Sequence, residues 1–113
     1  MYYHLIECER RSSILHVGWF YRLVFQDIET QCFYETMIDP KYRNFKNWQN
    51  IIENSHKGLL INNVKLKTTN NNKTFINADS KPKIVFSLDN PKEMETVFAD
   101  WRATKGKFNQ LFE

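Results

Sequence analysis

Hydrophobic and polar residues alternate most regularly over residues 14–25. The odd positions of this stretch are all apolar, and they are Leu15, Val17, Trp19, Tyr21, Leu23 and Phe25. A period of two is typical of a strand with one buried face, so these residues predict a long strand. Gly18 interrupts the pattern and indicates a bulge or a sharp bend. The content of aromatic and β-branched residues predicts further strands over residues 2–9 and 32–38.

Two helices are predicted from apolar residues spaced three and four positions apart. Asp39 and Pro40 are typical of a helix start, and Gly58 is typical of a helix end. The apolar stripe between them consists of Phe45, Trp48, Ile51 and Ile52. A second helix is predicted over residues 90–106, because an asparagine and a proline stand at its start. Its stripe consists of Met94, Val97, Phe98 and Trp101.

The segment between the two helices has strand character again. Residues 59–67, 74–77 and 83–88 are the candidate strands, and polar turns over residues 68–73 and 78–82 separate them. The predicted element order is therefore β-β-β-α-β-β-β-α. The chain predicts a mainly β protein with two helices.

This order is that of an OB-like five-stranded barrel with an added C-terminal helix. In that fold three meandering strands precede a helix and a hairpin follows it. The alternative is an α+β antiparallel sheet with both helices on one face, which produces the same pattern. With 113 residues, the chain has the length of a single domain, 1–113.

Composition adds one feature to this picture, which is a basic middle block. The whole chain has a net charge of +3. Residues 40–83, however, hold nine basic and two acidic residues and so carry +7. A local excess of this size favours an anionic partner or a solvated basic face. The twelve asparagines suggest an AT-rich source genome, such as that of a phage.

An OB barrel binds single-stranded nucleic acid on the face of strands two and three and through the loops between strands one and two and between strands four and five. Aromatic rings stack on bases and cations neutralise phosphates, so both residue types are expected at those places. The candidate binding residues are Arg10, Arg11, Phe20, Arg22, Phe33, Lys65, Lys67 and Lys73. For strand three, either of two faces can point outward: Phe33 with Glu35, or Cys32 with Tyr34 and Thr36. Glu35 counts against phosphate binding.

The sequence therefore predicts a small non-catalytic protein that binds single-stranded DNA or RNA. The alternative is a protein-interaction or structural accessory module, which would dock a partner or a second copy through its C-terminal segment. The apolar residues of that segment are Phe108, Leu111 and Phe112.

No catalytic, cofactor or metal-binding motif is present, so we expect neither enzymatic activity nor a bound cofactor or metal. The longest apolar run is interrupted by Arg22, and nothing at the N-terminus reads as a secretory leader. Two cysteines are too few for a disulfide scaffold. A cytoplasmic protein without a membrane segment is expected.

Overall fold

The computed structural model describes residues 1–12 and 18–103. Within them a mainly β chain is confirmed, with seven strands and two α-helices. In chain order these are β1 (Tyr3–Ser12), β2 (Trp19–Asp27), β3 (Phe33–Ile38), α1 (Phe45–Glu53), β4 (Gly58–Asn62), β5 (Leu66–Thr68), β6 (Thr74–Ile76), β7 (Lys83–Leu88) and α2 (Met94–Ala103). A single 3₁₀ turn, Pro91–Glu93, leads into α2. The predictions for Phe108, Leu111 and Phe112 lie outside the described residues.

Five strands form one antiparallel sheet in the order β3-β2-β1-β4-β7, and β5 pairs with β6 as a separate hairpin. The edge strands of the sheet are β3 and β7. Among the described strands no pairing joins these two edges, so the closed form of the predicted barrel is not found. The antiparallel sheet that both architectures share is confirmed.

The register of the sheet follows the alternation that the sequence displays on β2. Leu23 and Phe25 are fully buried, and their partners on β3 are Thr36 and Tyr34. On β1 their partners are Cys8 and Leu5, with a bulge between Leu5 and Glu7. Because strand side chains alternate between faces, Leu23 and Phe25 form one wall of the core. This confirms the predicted buried face at these two positions, whereas Trp19 is exposed. The predictions for Leu15 and Val17 lie outside the described residues.

The two helices cover opposite faces of the sheet. Leu59 and Ile61 of β4 pack in one cluster with Trp48 of α1. Leu60, between them, packs in a second cluster with Met94 and Phe98 of α2. Neighbouring strand residues point to opposite faces, so α1 and α2 lie on different sides. The alternative prediction, with both helices on one face, is wrong in this respect.

The first helix begins later than its sequence signals predict. Asp39 accepts a hydrogen bond from the backbone N–H of Lys41 at 2.9 Å, which makes a local turn and not a helix cap. The helix itself starts at Phe45. Trp48 is fully buried, as its stripe predicts, and its indole N–H donates to the carbonyl of Ala78 at 2.8 Å.

Gly58 has a structural role that differs from its predicted one, whereas Gly18 has the predicted role. Gly58 begins β4 and does not end a helix; a Cβ there would meet the side chain of Met94 and lie 3.2 Å from the Cα of Pro91. The residue is therefore small because the segment leading into α2 crosses it closely. Gly18 has φ of +117° directly before β2, which fits the predicted bend.

The predicted strand over residues 59–67 is interrupted. Asn63 has φ of 62°, in the left-handed region, and its side chain donates to the carbonyl of Lys81 at 2.8 Å. The chain leaves the main sheet here and continues as β5. The backbone N–H of Lys65 donates to Ser80 Oγ at 2.9 Å, which fixes the base of the β5–β6 hairpin.

Candidate nucleic-acid interface

On the α2 side of the sheet, helix α2 lies over β4 and the start of β1. Its Phe98 contacts the ring of His4 with 4.7 Å between ring centroids. The remainder of this side, over β1, β2 and β3, we call the open face. The register assigns to it Glu7, Glu9, Arg11, Phe20, Arg22, Val24, Phe33, Glu35 and Met37.

Four predicted binding residues share the open face: Arg11, Phe20, Arg22 and Phe33. The alternation also decides which side of β3 is exposed. Thr36 is buried, whereas Phe33 is 61% exposed. Of the two alternatives that the sequence leaves open, the structure therefore has Phe33 and Glu35 outward.

Arg10 does not belong to this group. It lies on the opposite side of β1, where its guanidinium carbon is 3.8 Å from the ring centroid of Trp19. Trp19 makes an edge contact with Tyr21, and Tyr21 stacks on Phe45 of α1. Arg10 thus caps an aromatic row at the end of the core, where the cation–π contact supports packing.

Carboxylates interleave with the cations of the open face. Arg22 donates from Nε and Nη2 to Glu35 Oε2 at 2.9 and 2.8 Å, and its Nη1 lies 3.5 Å from Glu7 Oε2. Arg11 pairs with Glu9 at 3.0 Å. Strand alternation predicts the outward position of Glu7 and Glu9 only when the bulge after Leu5 is known. The sequence alone therefore did not predict that these two glutamates pair with arginines of the open face.

The charge of these carboxylates is maintained by their partners. Burial on its own would raise the pKa of Glu35, but hydrogen bonds from Arg22 and Lys73 outweigh it and hold that pKa below the usual range. The hydrogen bond from Arg11 lowers the pKa of Glu9 in the same direction. Both glutamates are therefore ionised at neutral pH.

The β5–β6 hairpin lies beside β3 and reaches the open face. Lys73, at its tip, has its Nζ 3.4 Å from Glu35 Oε1. Lys67 pairs across the hairpin with Phe75, so their two side chains lie on one side of it. Lys65 is exposed and precedes β5.

A cleft of about 280 Å³ separates β3 from β6. It is lined by Glu35, Thr36, Met37, Lys73, Phe75, Ile76 and Ala78. Small-molecule sites usually span about 300–1,000 Å³, so the volume of this cleft lies just below the usual range. Met37 and Phe75 are not among the predicted site residues, although the position of Met37 follows from strand alternation once Phe33 is known to face outward.

Lys65 and Lys67 differ from the three cations of the open face. Within the described residues neither lysine side chain forms an ion pair. The structure thus offers two kinds of cation: Arg11, Arg22 and Lys73 are paired with glutamates, whereas Lys65 and Lys67 are exposed to solvent.

Over residues 1–12 and 18–103, no three His, Cys, Asp or Glu side chains are grouped so that they could hold a metal ion. In the same part of the chain, no helix has the length and apolar character that crossing a membrane requires. No protein-family model matches the chain, and neither the curated proteins nor the solved structures contain a match to it.

Proposed function

We propose that the protein binds single-stranded DNA or RNA, without catalysis, on an OB-like surface formed by the open face and the β5–β6 hairpin. One observation carries the proposal: Lys73 at the hairpin tip reaches Glu35 on β3. The strand face and the connection between the fourth and fifth strands of the main sheet thereby meet in one surface. These are two of the places where OB folds bind their ligands.

The strand order supports the OB-like part of this proposal. The sheet begins as the meander β1-β2-β3, α1 follows, and β4 returns to pair with β1. The hairpin β5–β6 is then an insertion before the last strand, β7. An OB fold is a partly open barrel, so a gap between the two edge strands is compatible with it.

The chemistry of the surface suits a single strand better than a duplex. Phe33 is 61% exposed and offers a flat apolar surface on which an unpaired base can stack. Lys67 is an exposed cation within the adjoining hairpin, Lys65 is exposed directly before it, and both can contact phosphates. Bases in a duplex are already stacked on one another and cannot use Phe33 in this way.

The test is fluorescence anisotropy of labelled single-stranded DNA and RNA of about 12 nucleotides, a length within the range that one OB fold covers. We expect binding that weakens steeply with salt, and weaker binding of a duplex. Phe33→Ala should reduce affinity by about 1–3 kcal/mol, the usual loss for a stacked base. Absence of binding to both oligonucleotides at low salt would refute the proposal.

Lys67→Met tests the phosphate contact, and Lys92→Met is its matched control. Both lysines are exposed, but Lys92 lies in the turn before α2. Lys67→Met should lower the slope of log affinity against log salt by about 0.7, the value for one single-strand phosphate contact. Equal slopes for the two variants would exclude Lys67 from the site.

A protein-interaction role is the second candidate, and the apolar residues of the open face favour it. Met37 is 49% exposed and lies on the same face of β3 as Phe33. A surface with exposed apolar groups and balanced charges is typical of protein interfaces. If this is the function, Met37→Asp should abolish a self-association measured by sedimentation, while oligonucleotides fail to bind.

A further inference from the structure

Glu35 is the main partner of Arg22. It accepts the two shorter contacts of the guanidinium, at 2.9 and 2.8 Å, whereas Glu7 lies at 3.5 Å. The Arg22 side chain is 23% exposed, so it is partly shielded from water. A pair in this setting is stronger than an exposed surface ion pair.

The same carboxylate also holds the hairpin. Its Oε2 binds Arg22 of β2, and its Oε1 lies 3.4 Å from Lys73 Nζ. Two cations from two separate segments therefore converge on one anion. A phosphate group on a nucleic-acid-binding surface is held in the same manner, by arginine and lysine donors around its oxygens. Here a side chain of the protein supplies the anion.

The pairing leaves the open face, taken together with Lys73 of the hairpin, without net charge. The cations are Arg11, Arg22 and Lys73, and the carboxylates are Glu7, Glu9 and Glu35. Affinity for a polyanion comes largely from cations whose counterions are released on binding. Cations already paired with glutamates contribute little to this release. A nucleic-acid backbone must displace a carboxylate before it can use Arg22.

We infer that Glu35 is an internal competitor of the phosphate backbone: its carboxylate holds Arg22 and Lys73 until a phosphate replaces it, and it thereby limits the affinity of the open face. The inference rests on the proposed function and deepens it. The side chain of Lys73 is 68% exposed, so it can follow an incoming phosphate. Glu35, at the edge of the sheet, sets how strongly the protein holds a single strand.

Glu35→Gln tests the inference, because glutamine removes the charge and keeps an oxygen that accepts a hydrogen bond from Arg22. The matched control is Glu53→Gln, which makes the same change in net charge at an exposed position on α1, on the opposite side of the sheet. Thermal melting of both variants checks that the fold is kept. Binding is measured by anisotropy with the same labelled single strand at several salt concentrations.

We expect Glu35→Gln to bind on the order of tenfold more tightly than the natural protein, which corresponds to about 1.4 kcal/mol. The slope of log affinity against log salt should steepen by about 0.7, as one further phosphate contact requires. Glu53→Gln should change the affinity less than twofold. In the double variant Arg22→Gln with Glu35→Gln, most of the gain should disappear, because the released arginine is gone.

The outcomes separate the inference from the proposed function. Binding by the natural protein with equal or weaker binding by Glu35→Gln would overturn the inference and leave the function intact. Binding by Glu35→Gln alone would refute the proposed function of the natural protein, while still showing that the Glu35 carboxylate keeps phosphates from the open face. If neither protein binds at low salt, the proposed function fails and the inference fails with it. An equal gain from Glu53→Gln would show a general charge effect and would also overturn the inference.

Discussion

Acidification should destabilise the fold through His4. This residue lies on β1 beneath α2, is only 6% exposed, and has no hydrogen-bond partner at either ring nitrogen within the described residues. Its ring packs edge-on against Phe98. A proton on the imidazole would place a positive charge in an apolar contact, and the carboxylate of Glu95 on α2 offsets this only in part.

The direction and size of the effect follow from linkage. Burial lowers the pKa of His4 from its ordinary value of 6.5. As the pH falls, the unfolded chain therefore takes up the proton before the folded protein does. The contribution of neutral His4 to the free energy of unfolding is fully present above pH 6.5, the pKa in the unfolded chain, and is lost as the pH falls below it. While the folded imidazole stays neutral, each pH unit below 6.5 costs at most about 1.4 kcal/mol, and the loss levels off once the folded imidazole also takes up a proton.

Urea unfolding at pH 7.5 and pH 5 measures this loss. His4→Leu removes the titrating group and both unpartnered nitrogens, so its stability should fall less than that of the natural protein over the same interval, by at most about 2 kcal/mol. At pH 7.5 the variant should be at least as stable, because burial of an unpaired polar group is costly. His56→Gln, at an exposed position, is the control. Equal acid losses in His4→Leu and the natural protein would refute the reasoning.

Two further substitutions probe the packing on either side of the sheet. Gly58→Ala places a methyl group against Met94 and should cost about 1–3 kcal/mol of unfolding free energy, as overpacking does; an unchanged urea midpoint would contradict the close approach. Trp48→Phe leaves the carbonyl of Ala78 unpaired and opens a cavity, so we expect a loss of about 2–3 kcal/mol. A difference below 0.5 kcal/mol by thermal or urea unfolding would show that the indole hydrogen bond is unimportant, since changes of about that size are ordinary for surface positions.

Features that depend on neighbouring residues along the chain, such as strand alternation, helical spacing and a cap, were predicted from the sequence. The alternation on β2 gave the buried residues Leu23 and Phe25, and the spacing on α1 gave the buried Trp48. Asn90 also caps the turn before α2, because its side chain accepts from the backbone N–H of Lys92 at 3.0 Å. In each case the residue types and their spacing are sufficient.

The remaining features depend on contacts between distant segments. Nothing near Asn63 in the sequence indicates that its bond to the carbonyl of Lys81 turns the chain out of the sheet. The small size of Gly58 is explained only by the approach of Met94, 36 positions later. Tertiary contacts of this kind override local preference.

The sequence predicted which residues lie on the candidate site better than it predicted which of their charges are paired. Phe33 and Arg22 lie on one face, as strand alternation allows. The pairing of Arg22 with Glu7 and of Lys73 with Glu35 depends on the bulge in β1 and on the position of the hairpin. Counting charges along the chain does not distinguish a free cation from a paired one.

The most direct test of the central claim is a titration of ¹⁵N-labelled protein with the single-stranded oligonucleotide, followed by amide chemical shifts. If the protein binds a single strand on the open face, the largest changes should fall on β2, β3 and the β5–β6 hairpin, and the amides of α2 should change little. The chemical-shift changes on β2, β3 and the hairpin should also become smaller as salt is added. Changes confined to α2 and β7, or no changes at low salt, would contradict the account.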